Sequence, residues 1–204
     1  TYAYDVLNVA SAATEFSTFH PNLDANTGPQ DIYDAYDYGA SVDYGTDSFS
    51  VGLWSSLEEN AGYEFALAFT GVENLTAKAI WSDFSDQGYE KATFWVSYQV
   101  GSVLLAAEVA ERDEKDTAAG STLDIDGVMV MANYAINDAA AVTLRYSEQE
   151  ISDGFVNTTK FYDGSKFTIS PSYMFTDSLI GLVEYSSYDA DLISAAFAEP
   201  EEYM

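Results

Sequence analysis

The chain has 204 residues, 34 Asp and Glu against 7 Lys and Arg, a net charge of −27 at pH 7 and a pI near 4.1. No basic stripe is present to neutralise phosphates, which excludes nucleic acid as a partner. A mean hydropathy of −0.10 excludes a helical membrane protein, because the longest charge-free run, residues 92–107, is broken by Gly101-Ser102 and falls short of the roughly 20 residues a spanning helix needs.

From the N-terminus, residues 2–10 form a candidate strand. Residues 14–29, with His20-Pro21 and Asn26-Thr27-Gly28-Pro29, read as a surface loop, with a loop folded over or into a pore as the alternative. A rhythm then sets in: paired stretches of alternating apolar and polar residues, each about ten long, are joined by short polar or small turns. The joints are residues 44–48, 71–74, 99–102, 135–138 and 175–178.

Phase shows which side chains share a face. In residues 62–71, Tyr63, Phe65, Leu67 and Phe69 alternate with Glu64, Ala66, Ala68 and Thr70. In residues 89–100, Ala92, Phe94, Val96 and Tyr98 oppose Lys91, Thr93, Trp95, Ser97 and Gln99, with Trp95 the misfit on the polar side. Residues 103–112 and 179–187 alternate less cleanly, since Leu104, Ile180 and Leu182 fall on the less apolar face. Residues 140–147 set Ala140, Val142, Leu144 and Tyr146 against Ala141, Thr143, Arg145 and Ser147. Residues 167–175 set Phe167, Ile169, Pro171, Tyr173 and Phe175 against Thr168, Ser170, Ser172 and Met174. About ten strands result, with residues 2–10 and 192–198 as further candidates.

Strands of about 9–11 residues, apolar on one side and polar on the other, are what a bilayer-spanning barrel uses. Aromatic residues bracket them: Tyr44, Phe49, Tyr134, Tyr173 and Phe175 near the short turns, and Trp54, Trp81, Phe84, Tyr89, Tyr146, Tyr185 and Tyr188 toward the other ends. Two girdles at the membrane interfaces account for this placement; the plain alternative is that Tyr and Phe are good strand formers. The short turns alternate with longer or more acidic connections at residues 57–61, 83–88, 112–121 and 150–165. The expected fold is therefore all-β: one antiparallel transmembrane β-barrel domain over residues 1–204, with short periplasmic turns and longer acidic extracellular loops. A soluble β-sandwich is the competing architecture.

The acids gather between the expected strands, as at Asp83, Asp86 and Glu90, Asp113, Glu114 and Asp116, and Asp189 and Asp191. A solvated, salt-adapted surface accounts for them; loose bridging by Ca²⁺ or Mg²⁺ is the alternative, and no tighter cofactor is expected. Asp124-Ile-Asp126-Gly127 lacks the further ligands of a calcium loop and reads as the start of a strand. Enzymatic chemistry has little support, because a Ser-His-Asp arrangement would depend on His20, the one histidine, and no Gly-x-Ser-x-Gly elbow accompanies it.

Phase also nominates residues lining a wet interior: Asp43, Glu64, Lys78, Lys91, Glu108, Arg145 and Glu184. Opposed charges there would impose a transverse field on permeating solutes. Each by itself is also what any lumen-facing polar residue looks like.

The stretch Asp163-Gly-Ser-Lys-Phe-Thr-Ile-Ser-Pro-Ser-Tyr-Met-Phe-Thr-Asp-Ser-Leu-Ile-Gly-Leu-Val-Glu-Tyr185 resembles the late hairpins of the general bacterial porins. The hairpin at residues 127–148, with Ala132-Asn-Tyr-Ala-Ile-Asn-Asp138, is similar, and the pattern extends over residues 36–188. The resemblance implies a Gram-negative outer-membrane channel, embedded in outer-membrane lipid as a homotrimer, through which ions and small hydrophilic solutes diffuse passively. Acidic mouths would give it a cation preference. Two features depart from the family: the chain stops at Glu201-Glu-Tyr-Met204 rather than in a strand ending on Phe, and it has fewer strands than the roughly 16 of a porin. The expectation is a partial chain lacking early strands and the last one, against an intact barrel of about 12 strands. An outer-membrane or extracellular structural or adhesive β-protein without transport activity remains the alternative function.

Overall fold

A chain that reverses within a few residues lays its next strand antiparallel beside the last, so the short joints dictate a meander. The computed structural model describes residues 38–57, 62–84, 88–116, 121–153 and 160–192. They form one eleven-stranded sheet: β1 (Gly39–Gly45), β2 (Phe49–Ser56), β3 (Tyr63–Phe69), β4 (Leu75–Phe84), β5 (Tyr89–Val100), β6 (Val103–Asp116), β7 (Ser121–Ala135), β8 (Ala140–Asp153), β9 (Lys160–Thr176), β10 (Leu179–Leu182) and β11 (Tyr185–Leu192). Neighbours in sequence pair antiparallel up to β9, and β10 and β11 pair successive lengths of β9, acting as one edge strand broken at Val183-Glu184. Among the described residues there is no helix, and β1 pairs only with β2, leaving the sheet open at that edge. Residues 2–10, 14–29 with His20, and 193–198 lie outside the described residues.

Local chemistry closes the tight turns. Thr46 Oγ1 accepts from the amides of Ser48 and Phe49 at 3.3 and 3.1 Å, and Asn137 Oδ1 accepts from those of Ala139 and Ala140 at 2.9 and 3.0 Å. Asn74 and Gly101 take the left-handed backbone conformation, at φ 64° and 57°. Those two residue types pay the smallest steric penalty there.

The two faces have the polarity opposite to that of a water-soluble domain. Glu64, Lys91, Glu108, Arg112, Arg145 and Lys166 are no more than 8% exposed on the inner face. On the outer face Phe65, Leu67, Phe94, Leu105, Val109, Val130, Leu144, Phe167 and Ile169 are 36–50% exposed. Leaving so much contiguous apolar surface in water is unfavourable by about 25 cal/mol per Å², and soluble monomers rarely do it beyond a few hundred Å².

The edge of the apolar belt runs obliquely across the strand register. The register row through Asp83 continues as Glu90, Asp113, Asp124 and Ser152. On β8, however, the first carboxylate above the belt is Glu148, four residues nearer the short turns than Ser152. A descent of one residue per strand, at about 3.3 Å per residue and 4.8 Å between strands, corresponds to a tilt of roughly 35°. That tilt is what a closed barrel imposes, so a belt level in a membrane must cut the register at this slope.

Three sequence expectations change. Of the loops expected at residues 112–121 and 150–165, residues 112–116, 121, 150–153 and 160–165 belong to strands, because β6, β7, β8 and β9 outrun the apolar belt. Asp83, Glu90, Asp113, Asp189 and Asp191 are likewise strand residues rather than loop residues, and Asp124 lies near the start of β7, as expected. The second aromatic girdle is also thinner than expected. Trp54 and Phe84 are buried on the inner face, and Tyr89 and Tyr188 share the inner register rows of Glu114 and Lys166. Gly62 and Gly164 permit this, since a Cβ at either would collide with the ring of Phe84 or Tyr162 lying over it. Finally, Trp95 is no misfit: it is an inner-wall residue, 7% exposed.

Candidate functional site: the inner wall

Alternation sends every second side chain of each strand to the inner wall, and antiparallel register then stacks those side chains into cross-strand rows. One row runs Trp54, Glu64, Ser82, Lys91, Arg112. Ser82 Oγ donates to Glu64 Oε2 at 3.0 Å. Lys91 Nζ lies 5.2 Å from the ring centroids of both Phe84 and Tyr89, and the Arg112 guanidinium lies 4.6 Å from that of Tyr89. Arg112 also pairs with Glu114 at 3.5 Å. Phe84 stacks on Tyr89 at 5.2 Å and tilts against Trp54 at 6.0 Å. Electron-rich ring faces thus hold two cations against the wall, compensating part of their desolvation.

A second row runs Lys78, Trp95, Glu108, Met129, Ser147, Lys166, Tyr188. Lys166 Nζ sits 5.1 Å from the Tyr188 ring centroid. Nearer the short turns, Arg145 Nη2 donates to Glu184 Oε2 at 2.9 Å, and Thr168 and Ser186 share a hydrogen bond of 2.9 Å.

All seven residues nominated by phase therefore lie on one side of the sheet. Glu64, Lys91, Glu108 and Arg145 are buried there, Lys78 is half-buried, Asp43 is exposed on β1, and Glu184 reaches the wall from the break between β10 and β11. Sequence reasoning missed Arg112, Glu114 and Lys166. Phase contained the signal: Lys166 continues the Thr168, Ser170 series by one step, and Arg112 and Glu114 continue from Glu108 at even spacing. Among the residues whose side chains are described, the basic Lys78, Lys91, Arg112, Arg145 and Lys166 face inward together with the acidic Asp43, Glu64, Glu108, Glu114 and Glu184.

The outer face, by contrast, carries an excess of acid. Immediately above the belt, Glu111, Asp126, Glu150 and Asp163 are direct cross-strand neighbours on successive strands. Like charges so placed repel. Lys160 relieves one point of this collar by pairing with Glu150 and, at 3.3 Å, with Asp163, and these hydrogen bonds raise its pKa above that of an ordinary lysine. Among the described residues no three acidic, His or Cys side chains converge to hold a metal ion. Below the collar, Phe65, Ala79, Trp81, Ala92, Phe94 and Val109 line a groove of about 640 Å³ in the outer surface.

No family model and no curated protein matches this chain. A solved structure, the outer-membrane expressed OmpT of Vibrio cholerae, matches with a TM-score of 0.64 at 15% sequence identity, over 75% of this chain and 54% of that one. The likeness is one of fold, and this chain spans about half the length of that protein. The fold is that of an outer-membrane β-barrel protein, antiparallel throughout.

Proposed function

We propose that this chain spans the outer membrane of a Gram-negative bacterium and passes ions and small hydrophilic solutes by passive diffusion, with a modest cation preference and no catalytic step. The observation that carries this reading is the polarity of the two faces: charged and hydroxyl side chains line the inside, and apolar side chains face out. Only a structure with lipid outside and polar contents inside is stabilised by that arrangement. The inner wall is nearly balanced in charge, so the preference comes from the carboxylate collar, whose summed field concentrates cations at one mouth. Assembly as a homotrimer belongs to the same proposal, and native mass spectrometry of a detergent extract reads it.

Reconstitution of the full chain in a planar bilayer under a salt gradient is the test. Discrete conductance steps with a cation-directed reversal potential are expected, fading as salt shortens the screening length below about 8 Å. A second reading, a structural or adhesive barrel without transport, draws on the near-complete coverage of Lys166, Glu108 and Ser147, each at most 2% exposed. Folded, membrane-inserted protein without conductance would establish that one instead.

A further inference from the structure

Toward the short-turn end the inner wall carries a half-open pocket of about 480 Å³. Gly52, Ala66 and Ala68, small residues on the paired strands β2 and β3, make one side of it. The cross-strand pair Lys78 and Trp95 makes another, and Asp43 stands on the β1 side. Trp95 is 7% exposed, yet its Nε1–H has no hydrogen-bond acceptor among the described residues. A buried indole N–H ordinarily finds one, and this one is left available to a partner entering from the lumen. Water can accept from the indole and from the neighbouring ammonium, but only an anion adds charge–charge attraction to that ammonium.

We propose that this pocket is a binding station for short-chain monocarboxylates, a solute class for the diffusion channel proposed above, on which the physiological role of this station rests. The carboxylate accepts from Trp95 Nε1 and from Lys78 Nζ. An ammonium carries three donors, so the carboxylate joins the contacts Lys78 already makes. The short hydrocarbon tail lies against Gly52, Ala66 and Ala68, where larger side chains would leave no room. Asp43 repels a second negative charge, which sets monocarboxylates apart from dicarboxylates.

Isothermal titration calorimetry of the full chain in detergent micelles, with sodium propionate at constant ionic strength, tests the assignment. Saturable binding is expected, weakened about tenfold by Trp95→Phe, which keeps the ring and removes the donor, and at least as much by Lys78→Gln. Ala66→Leu, which fills the pocket, should abolish it, and succinate should bind more weakly than propionate. Heat-modifiable migration on gels verifies that each variant is folded. Absence of saturable heat with the parent chain, or binding by folded Trp95→Phe and Ala66→Leu that equals the parent's, overturns the proposal. Calorimetry needs no conducting pore: propionate binding by a non-conducting protein would reject the channel and keep the pocket, and conduction without binding would do the reverse.

Discussion

Arg145 on β8 and Glu184, 39 positions further along the chain, are joined by a hydrogen bond of 2.9 Å at the place where the edge strand breaks between β10 and β11. Arg145 is 6% exposed, and this carboxylate comes from the break in the edge strand rather than from its register partner, Thr168. The break lets Glu184 leave the ladder and turn to the inner wall.

Glu184→Gln should therefore destabilise the fold by about 1.5–3 kcal/mol, the range for a hydrogen bond between charged groups, and toward its lower end because Glu184 is partly exposed. Urea unfolding in micelles measures the loss. Protease cleavage confined to residues 179–192 would show that the pair pins the edge strand; unchanged stability would show that it does not.

The outer face should reject polar side chains and the inner face accept them. Val130→Arg, at the middle of the belt on β7, is expected to cost about 2–4 kcal/mol in folding into lipid vesicles. Ser147→Asn, two strand positions from Arg145 on the inner wall, should cost much less. Equal penalties would contradict the assignment of faces.

Neutralising inner-wall charges should move selectivity in opposite directions. Glu64→Gln with Glu108→Gln should reduce the cation-directed reversal potential, and Lys166→Gln with Arg112→Gln should increase it. Electrophysiology under a salt gradient reads both signs. If neither pair shifts the potential, the ions do not pass along this wall.

Topology follows from the collar, which should face outward above the membrane. Cysteines at Glu90 and Asp113 should react with an impermeant maleimide on intact cells, and cysteines at Asp47 and Asp177, in the short turns, only after the cells are opened. The reverse pattern would invert the chain in the membrane.

Left-handed turns give a last prediction. Asn74→Val should destabilise by about 1–2 kcal/mol and Asn74→Gly should not, because φ of 64° crowds a β-branched side chain against the following carbonyl. Thermal unfolding of the two variants compares them directly.

Much of this protein is written locally in its sequence. Alternation needs only the pleat of one strand, so Glu64, Lys91 and Arg145 could be placed on one face and Phe65, Phe94 and Leu144 on the other without any partner strand. Turns are equally local, and Asn137 and Thr46 close theirs with their own side chains. What the sequence left open depends on register and tilt, which exist only between strands. Strand ends were misplaced because ladder pairing carries β6 to β9 beyond the point where the apolar pattern stops. Trp54, Phe84 and Trp95 looked like girdle residues or misfits because a large apolar ring inside a barrel has no local signature; glycines and cations on neighbouring strands give it its place. The alignment of Glu111, Asp126, Glu150 and Asp163 into one collar, and the meeting of Lys78 and Trp95 over a wall of small residues, required the whole sheet. Such contacts join residues far apart in the chain, and only the tertiary pairing of strands brings them together.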